Sequence, residues 1–268
     1  MKLKFIIIFI ALIISCDENI NDPSSYKQDF LPLTVGSYWI YEFHKLDMNR
    51  QIIDSSQYID SLVVEKKEFV ENNLYTFYLV FYKNGFAYDT LFLRKKNNQI
   101  FFYVNPDINV KGFSRRWLPL INLNMKYDET WNIFNNQIYD YIEELNGQEY
   151  KGTYYITDNG RLVSIDSILF NDNLFFSKYF NHKYDSRLQF LIFDKRYIDE
   201  NTYIIDTFVY NKIYQYTEEY RLLQGVGLSH LRKNPHRLII FTNPSSTISY
   251  SQDFLGWERI LLRYDIKD

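Results

Sequence analysis

The chain has 268 residues, with Lys+Arg 30, Asp+Glu 33 and a formal net charge of −3. That balance supplies no block of cations to neutralise phosphates, which excludes nucleic acid as a partner. A single cysteine excludes an internal disulfide, and a hydrophobic share of 46% is ample for a packed core.

Two lysines, Lys2 and Lys4, precede an unbroken apolar run from Phe5 to Ile14. The run falls short of the roughly 20 apolar residues that span a bilayer. It has the length of a signal-peptide core. It ends Ile13-Ile14-Ser15-Cys16, which resembles the lipobox of bacterial lipoproteins: aliphatic, tolerant, small, then cysteine. The resemblance implies cleavage before Cys16 and a diacylglyceryl thioether on its sulfur. It also implies further acyl chains of the palmitate kind. Each buried methylene contributes roughly 0.8 kcal/mol and one chain anchors only marginally, so two or three chains make the attachment effectively permanent.

Asp17 and Glu18 follow the cysteine. An acidic residue here is similar to an inner-membrane retention signal in enterobacterial lipoproteins and to a surface-export signal in Bacteroidota. Composition leans toward the second. Tyr 25, Phe 22 and the frequent Ile, Asn and Lys have AT-rich codons, and the only alanines are Ala11 and Ala87. The same bias weakens aromatic richness as a sign of sugar binding. Residues 16–29 read as a flexible tether, with Pro23, Ser24 and Ser25. Residues 1–15 are then a signal peptide and 30–268 one domain.

Alternation at period two dominates from residue 38 onward. Trp39, Tyr41 and Phe43 share one face. Near the end, Ile260, Leu262, Tyr264 and Ile266 alternate with Arg259, Leu261, Arg263 and Asp265, one set buried and the other wetter. Residues 74–82 are apolar on both faces. The best helical stretch, 59–70, fits a hairpin equally well, because it contains Val63-Val64 and leads to Asn72-Asn73. Asn84-Gly85, Asn146-Gly147 and Asn159-Gly160 predict tight turns, since Asn-Gly suits paired positive φ angles. Asn97-Asn98, Asn171-Asp172-Asn173 and Asp199-Glu200-Asn201 predict further connections. The expected fold is all-β: a large antiparallel meander forming a curved sheet, half-barrel or sandwich after a cleaved signal helix.

Three segments then resemble a recurring type of Bacteroidota envelope lipoprotein. The first is Leu31-Pro32-Leu33 with Gly36, Trp39 and Tyr41. The second is Thr90 to Arg94 followed by Ile100 to Tyr103. The third is Tyr220 with Gly225-Val226-Gly227-Leu228. Gly36 admits a sharp approach to the first strand, Trp39 supplies a core anchor, and Gly225 with Gly227 suggest a bulge or a close backbone approach. Leu118-Pro119-Leu120 with Asp128-Glu129-Thr130-Trp131 faintly echoes the opening, but the spacing differs, which speaks against an internal repeat. The resemblance implies no activity.

Catalytic motifs are missing. There is no Gly-x-Ser-x-Gly, no His-Glu-x-x-His, no P-loop and no dinucleotide fingerprint. His44, His182, His230 and His236 are far apart, and a strand-end pair at His230 and His236 is the bland reading against a metal site. Arg232, Lys233, His236 and Arg237 read as a solvated turn. Asp194, Asp199, Glu200, Asp206, Glu218 and Glu219 are the acids from which a carboxylate pair could be drawn. Asp158-Asn159-Gly160 reads as a turn. The expectation is a non-enzymatic module lipid-anchored through Cys16 at the outer membrane, on the periplasmic face or the cell surface. No catalytic residue, metal or cofactor is expected, and the partner is a hydrophobic ligand or an envelope protein. A glycan-active enzyme with paired acids and a surface glycan-binding protein are the alternatives.

Overall fold

A computed structural model describes residues 29–70, 74–104, 116–145, 147–200, 202–243 and 247–267. The leader, Cys16, the tether up to residue 28, Asn72-Asn73, Asn146 and Asn201 lie outside the described residues. The strands in chain order are β1 (Tyr38–Leu46), β2 (Tyr58–Val70), β3 (Leu74–Lys83), β4 (Phe86–Lys96), β5 (Gln99–Val104) and β6 (Arg116–Asn122). Next come β7 (Thr130–Leu145), β8 (Gln148–Phe170), β9 (Asn173–Tyr197), β10 (Tyr203–Leu223) and β11 (Gly227–Lys233). The last are β12 (His236–Asn243), β13 (Thr247–Phe254) and β14 (Gly256–Asp265). A short 3-10 turn at Asp54–Ser56 is the helical element among the described residues, and the stretch 59–70 is strand β2.

All ladders are antiparallel. The sheet runs β6-β5-β4-β3-β2-β1-β14-β11-β10-β9-β8-β7, with β12 and β13 branching from β10. Two meanders, β1 to β6 and β7 to β11, are therefore joined by β14. The path nearly closes into a barrel. At the seam, Trp131 of β7 donates its indole N–H to the Pro119 carbonyl of β6 at 2.9 Å. Nearby, the Arg116 guanidinium lies 4.3 Å from the Phe134 ring.

The interior is filled. Leu62, Leu79, Leu93, Ile100, Leu162, Phe180 and Leu222 reach inward from every wall into one apolar cluster, which Leu31 and Leu33 join from the N-terminal side. Asp29, the last residue of the expected tether, is docked at that end. Its carbonyl accepts from Gly225 N at 2.6 Å, and its carboxylate pairs with Lys95.

The predicted turns at Asn84-Gly85 and Asn97-Asn98 form with positive φ at both residues, and Gly147 and Asn171-Asp172 take positive φ in their connections. Asn159-Gly160 is different. Strand β8 runs through it without a break for 23 residues. Gly160 is glycine because the Trp131 indole lies on it: a Cβ there would be 2.1 Å from Cζ2.

The C-terminal alternation is also corrected. Leu261 and Arg259 face inward at 4% and 8% exposure, while Ile260 and Leu262 are exposed. A bulge at Leu262, where Tyr41 pairs with Leu261 and Ile40 with Arg263, shifts the phase. Past it, Tyr264 and Ile266 pack on the core as expected. Arg259 is kept inside by its partners. Nε lies 2.9 Å from Asp60 Oδ2, and Nη2 donates to the Tyr88 hydroxyl at 3.0 Å. The guanidinium is 4.4 Å from the Phe81 ring centre and 4.7 Å from that of Trp257.

The late glycine motif meets the opening motif. The Tyr41 hydroxyl donates to the Leu228 carbonyl at 2.8 Å. Of the two expectations for the glycines, Gly227 makes the close approach, against the Trp39 indole, while a bulge lies two residues on, with Leu222 opposite Leu228 and Arg221 opposite His230, leaving Ser229 extra.

Candidate functional site

The late acids do not converge. Asp194 and Asp206 are ladder partners on the β9–β10 hairpin. Asp206 lies 3.7 Å from Arg196, and Asp199 caps its turn by accepting from Thr202 N at 2.8 Å. Glu200 is exposed beside that turn. Glu218 and Glu219 are successive on one strand and so face opposite ways. Glu219 accepts from the Tyr179 hydroxyl at 2.5 Å and from Asn234 at 2.8 Å.

Glu218 turns inward toward Asp158, which lies within strand β8 and not in the expected turn. It lies opposite His182 on β9, and Asp158 of β8 lies opposite Tyr184 one row away. Glu218 is held by the Tyr220 hydroxyl at 2.5 Å and by Lys233 at 3.5 Å. Asp158 is held less: its buried Oδ1 has no hydrogen-bond partner among the described residues. Burial, and then the Glu218 charge, raise the Asp158 carboxyl to about 7. Such a group can exchange a proton near neutrality.

His182 sits 4.7 Å from the Tyr220 ring and 5.7 Å from Trp131. Burial lowers it to about 3, opposed in part by the Leu120 backbone. Tyr184 and Tyr216 stack at 4.7 Å beside the acids. The hydroxyls of both are driven well above the usual range, chiefly by burial.

The other histidines hold separate posts. His44 lies 3.3 Å from Glu42, His230 2.6 Å from Glu258, and His236 2.8 Å from the Tyr214 hydroxyl. No group of three metal-ligating side chains occurs among the described residues. The basic stretch is paired with acids: Arg232 with Glu258 at 3.7 Å and Arg237 with Asp253 at 2.5 Å, while Lys233 meets Glu218.

The second feature is a fork at the far end of the long strands. The β8–β9 ladder ends at the pair Gly152–Phe190. Beyond it, β8 continues paired with β7 alone, and β9 with β10 alone, among the described residues. Gly152 sits in the crotch, where a Cβ would lie 2.3 Å from the Gln189 carbonyl oxygen and 2.7 Å from the Phe190 Cβ. Tyr150, Phe190 and Tyr210 stack across one side at 5.1 and 4.3 Å. On the other side Leu191 and Phe193 are 47% and 62% exposed. A hollow of about 650 Å³ opens between the two prongs, lined by residues 148–153, Gln189, Leu191, Phe193 and Val209.

The fold is thus an antiparallel β-barrel, nearly closed, with a forked extension. No family model matches the chain, and no curated protein sequence matches it. A crystal structure of a protein from Parabacteroides distasonis ATCC 8503, provisionally described as a lipoprotein, is similar at 11% identity. The match covers 88% of this chain and 98% of that one, with a TM-score of 0.43.

Proposed function

We propose that this chain is a lipid-anchored protein of the bacterial cell envelope, held at the outer membrane by acylated Cys16, that binds another protein and carries no catalysis of its own. The observation that supports this most is the separation of its two ends. Asp29 docks at the β10–β11 turn, so the tether leaves there. Strand β10, of 21 residues, runs from that turn to the fork end. At about 3.3 Å per residue this is roughly 70 Å. The edges that lack a ladder partner among the described residues are therefore presented far from the anchoring end. The filled interior favours a protein partner over a lipid ligand, and Asp17 with Glu18 favour display at the cell surface over the periplasmic face.

Replacing Cys16→Ser tests the anchor. Acyl labelling should be lost and the protein released from membranes. Unchanged labelling would remove the reading.

One observation favours a second reading, acid–base chemistry on a glycan: the carboxyls of Asp158 and Glu218 face one interior. In that case Asp158→Asn abolishes glycan turnover by the intact protein.

A further inference from the structure

We infer that the fork accepts an extended segment of a partner protein as an added β-strand between β8 and β9; this rests on the reading of the chain as a protein-binding module. The argument begins with the backbone. Residues 148–151 ladder with β7 and residues 191–197 with β10, and neither run has a ladder partner on its other side among the described residues. Each run therefore presents amide and carbonyl groups to the gap. Such edges template another strand. An acyl chain has no peptide groups to offer them, whereas an extended polypeptide satisfies both sides at once.

The side chains agree. An inserted strand places alternate residues on opposite faces of the sheet. One face meets the Tyr150–Phe190–Tyr210 stack and the other meets Leu191, Phe193 and Val209. The first face is aromatic, while the second mixes Leu191, Phe193 and Val209 with the polar Thr153 and Gln189, so the segment that fits is apolar at alternate positions and mixed between them. That second face also carries Glu149 and Lys151, one charge of each sign, which suits a segment with little net charge.

The chain's own N-terminal segment is a poor occupant. From Asp29 the fork lies about 50 Å away along β10. Residues 16–28 reach about 45 Å when fully stretched, and doing so would draw Cys16 away from the membrane. The strand must come from another molecule.

The test uses the mature lipidated chain in detergent and a displayed library of random dodecapeptides. Selection should enrich peptides of little net charge that are apolar at alternate positions. A synthetic peptide from that set should lose about 100-fold in affinity when its central amides are N-methylated. Leu191→Asp should weaken it about 10-fold. Because Leu191 is half exposed, the melting temperature of that variant should not move. Amide exchange at residues 148–151 and 191–193 should slow on binding. Failure of any peptide to enrich, protection elsewhere, or indifference to N-methylation overturns the inference. Protection of the same amides by raising protein concentration alone would assign the fork to a second copy and overturn it too. None of these outcomes touches acyl labelling of Cys16, so the anchored reading stands or falls separately.

Discussion

Trp39 donates its indole N–H to the Val226 carbonyl at 2.6 Å, across 187 residues of chain. The neighbouring Gly227 lies flat against the same ring. It takes φ +108, and a Cβ there would sit 3.1 Å from Nε1. One glycine thus meets two demands, a left-handed backbone and room for an indole.

Gly227→Ala should cost about 2–3 kcal/mol, since strain at positive φ adds to overpacking. Gly85→Ala is the control: φ is +79 there but nothing lies within 4 Å, so about 1 kcal/mol is expected. Urea unfolding of both variants decides the matter. Equal losses would mean the ring contact carries no weight. Trp39→Phe should cost about 1–3 kcal/mol by leaving a buried carbonyl unpaired.

At the seam, Gly160→Ala must displace the Trp131 indole and with it the bond to Pro119. A loss of about 2–4 kcal/mol is expected from overpacking together with the broken hydrogen bond. Amides of residues 116–122 should exchange faster in this variant. If they exchange as in the parent, the seam is held by something other than Trp131.

Two buried groups give pH slopes of opposite sign. The Asp158 carboxyl, at about 7, lies above its unfolded value of about 4. The folded state binds that proton, so its contribution is full below about pH 4 and is lost as pH rises to about 7. His182, at about 3, lies below its unfolded value of about 6.5. The unfolded state binds that proton, so stability falls as pH drops from about 6.5 toward 3. Between pH 4 and 6.5 the parent should be nearly flat. Asp158→Asn should gain about 1–3 kcal/mol at pH 8 and expose a slope rising with pH. His182→Phe should expose a slope falling with pH. Urea melts across this range would show it, and identical profiles for all three proteins would contradict both assignments.

Arg259→Leu leaves the fully buried Asp60 carboxylate without its cation. The expected cost is about 3–5 kcal/mol. Adding Asp60→Leu should recover much of it, because an apolar pair of similar volume avoids the desolvation of both charges. A double-mutant cycle by thermal unfolding measures the coupling, and a double variant no more stable than Arg259→Leu alone would refute it.

The turns at Asn84-Gly85 and Asn97-Asn98 were legible because positive φ leaves a chemical signature in the sequence. Gly160 and Gly152 were not, because glycine kept for close approach looks the same as glycine kept for a turn. Reading Asn159-Gly160 as a turn divided β8 in two and sent Asp158 to the surface, which hid its partnership with Glu218. The phase shift at Leu262 was invisible for a related reason: a bulge is set by the neighbouring strand. Arg259 was legible as a charge but not as an inward one, since its acceptor Asp60 lies 199 residues earlier. The fork depends on where two ladders stop, which no single segment records.

Strand β14 is the ladder neighbour of both β1 and β11, and it is the last strand in chain order. The two meanders can each zip from local hairpins, but the bridge between them waits for residues 256–265. Tyr38 thereby pairs with Asp265, whereas each meander joins strands that are neighbours in the chain, so closing the sheet is the non-local, slower step of its assembly.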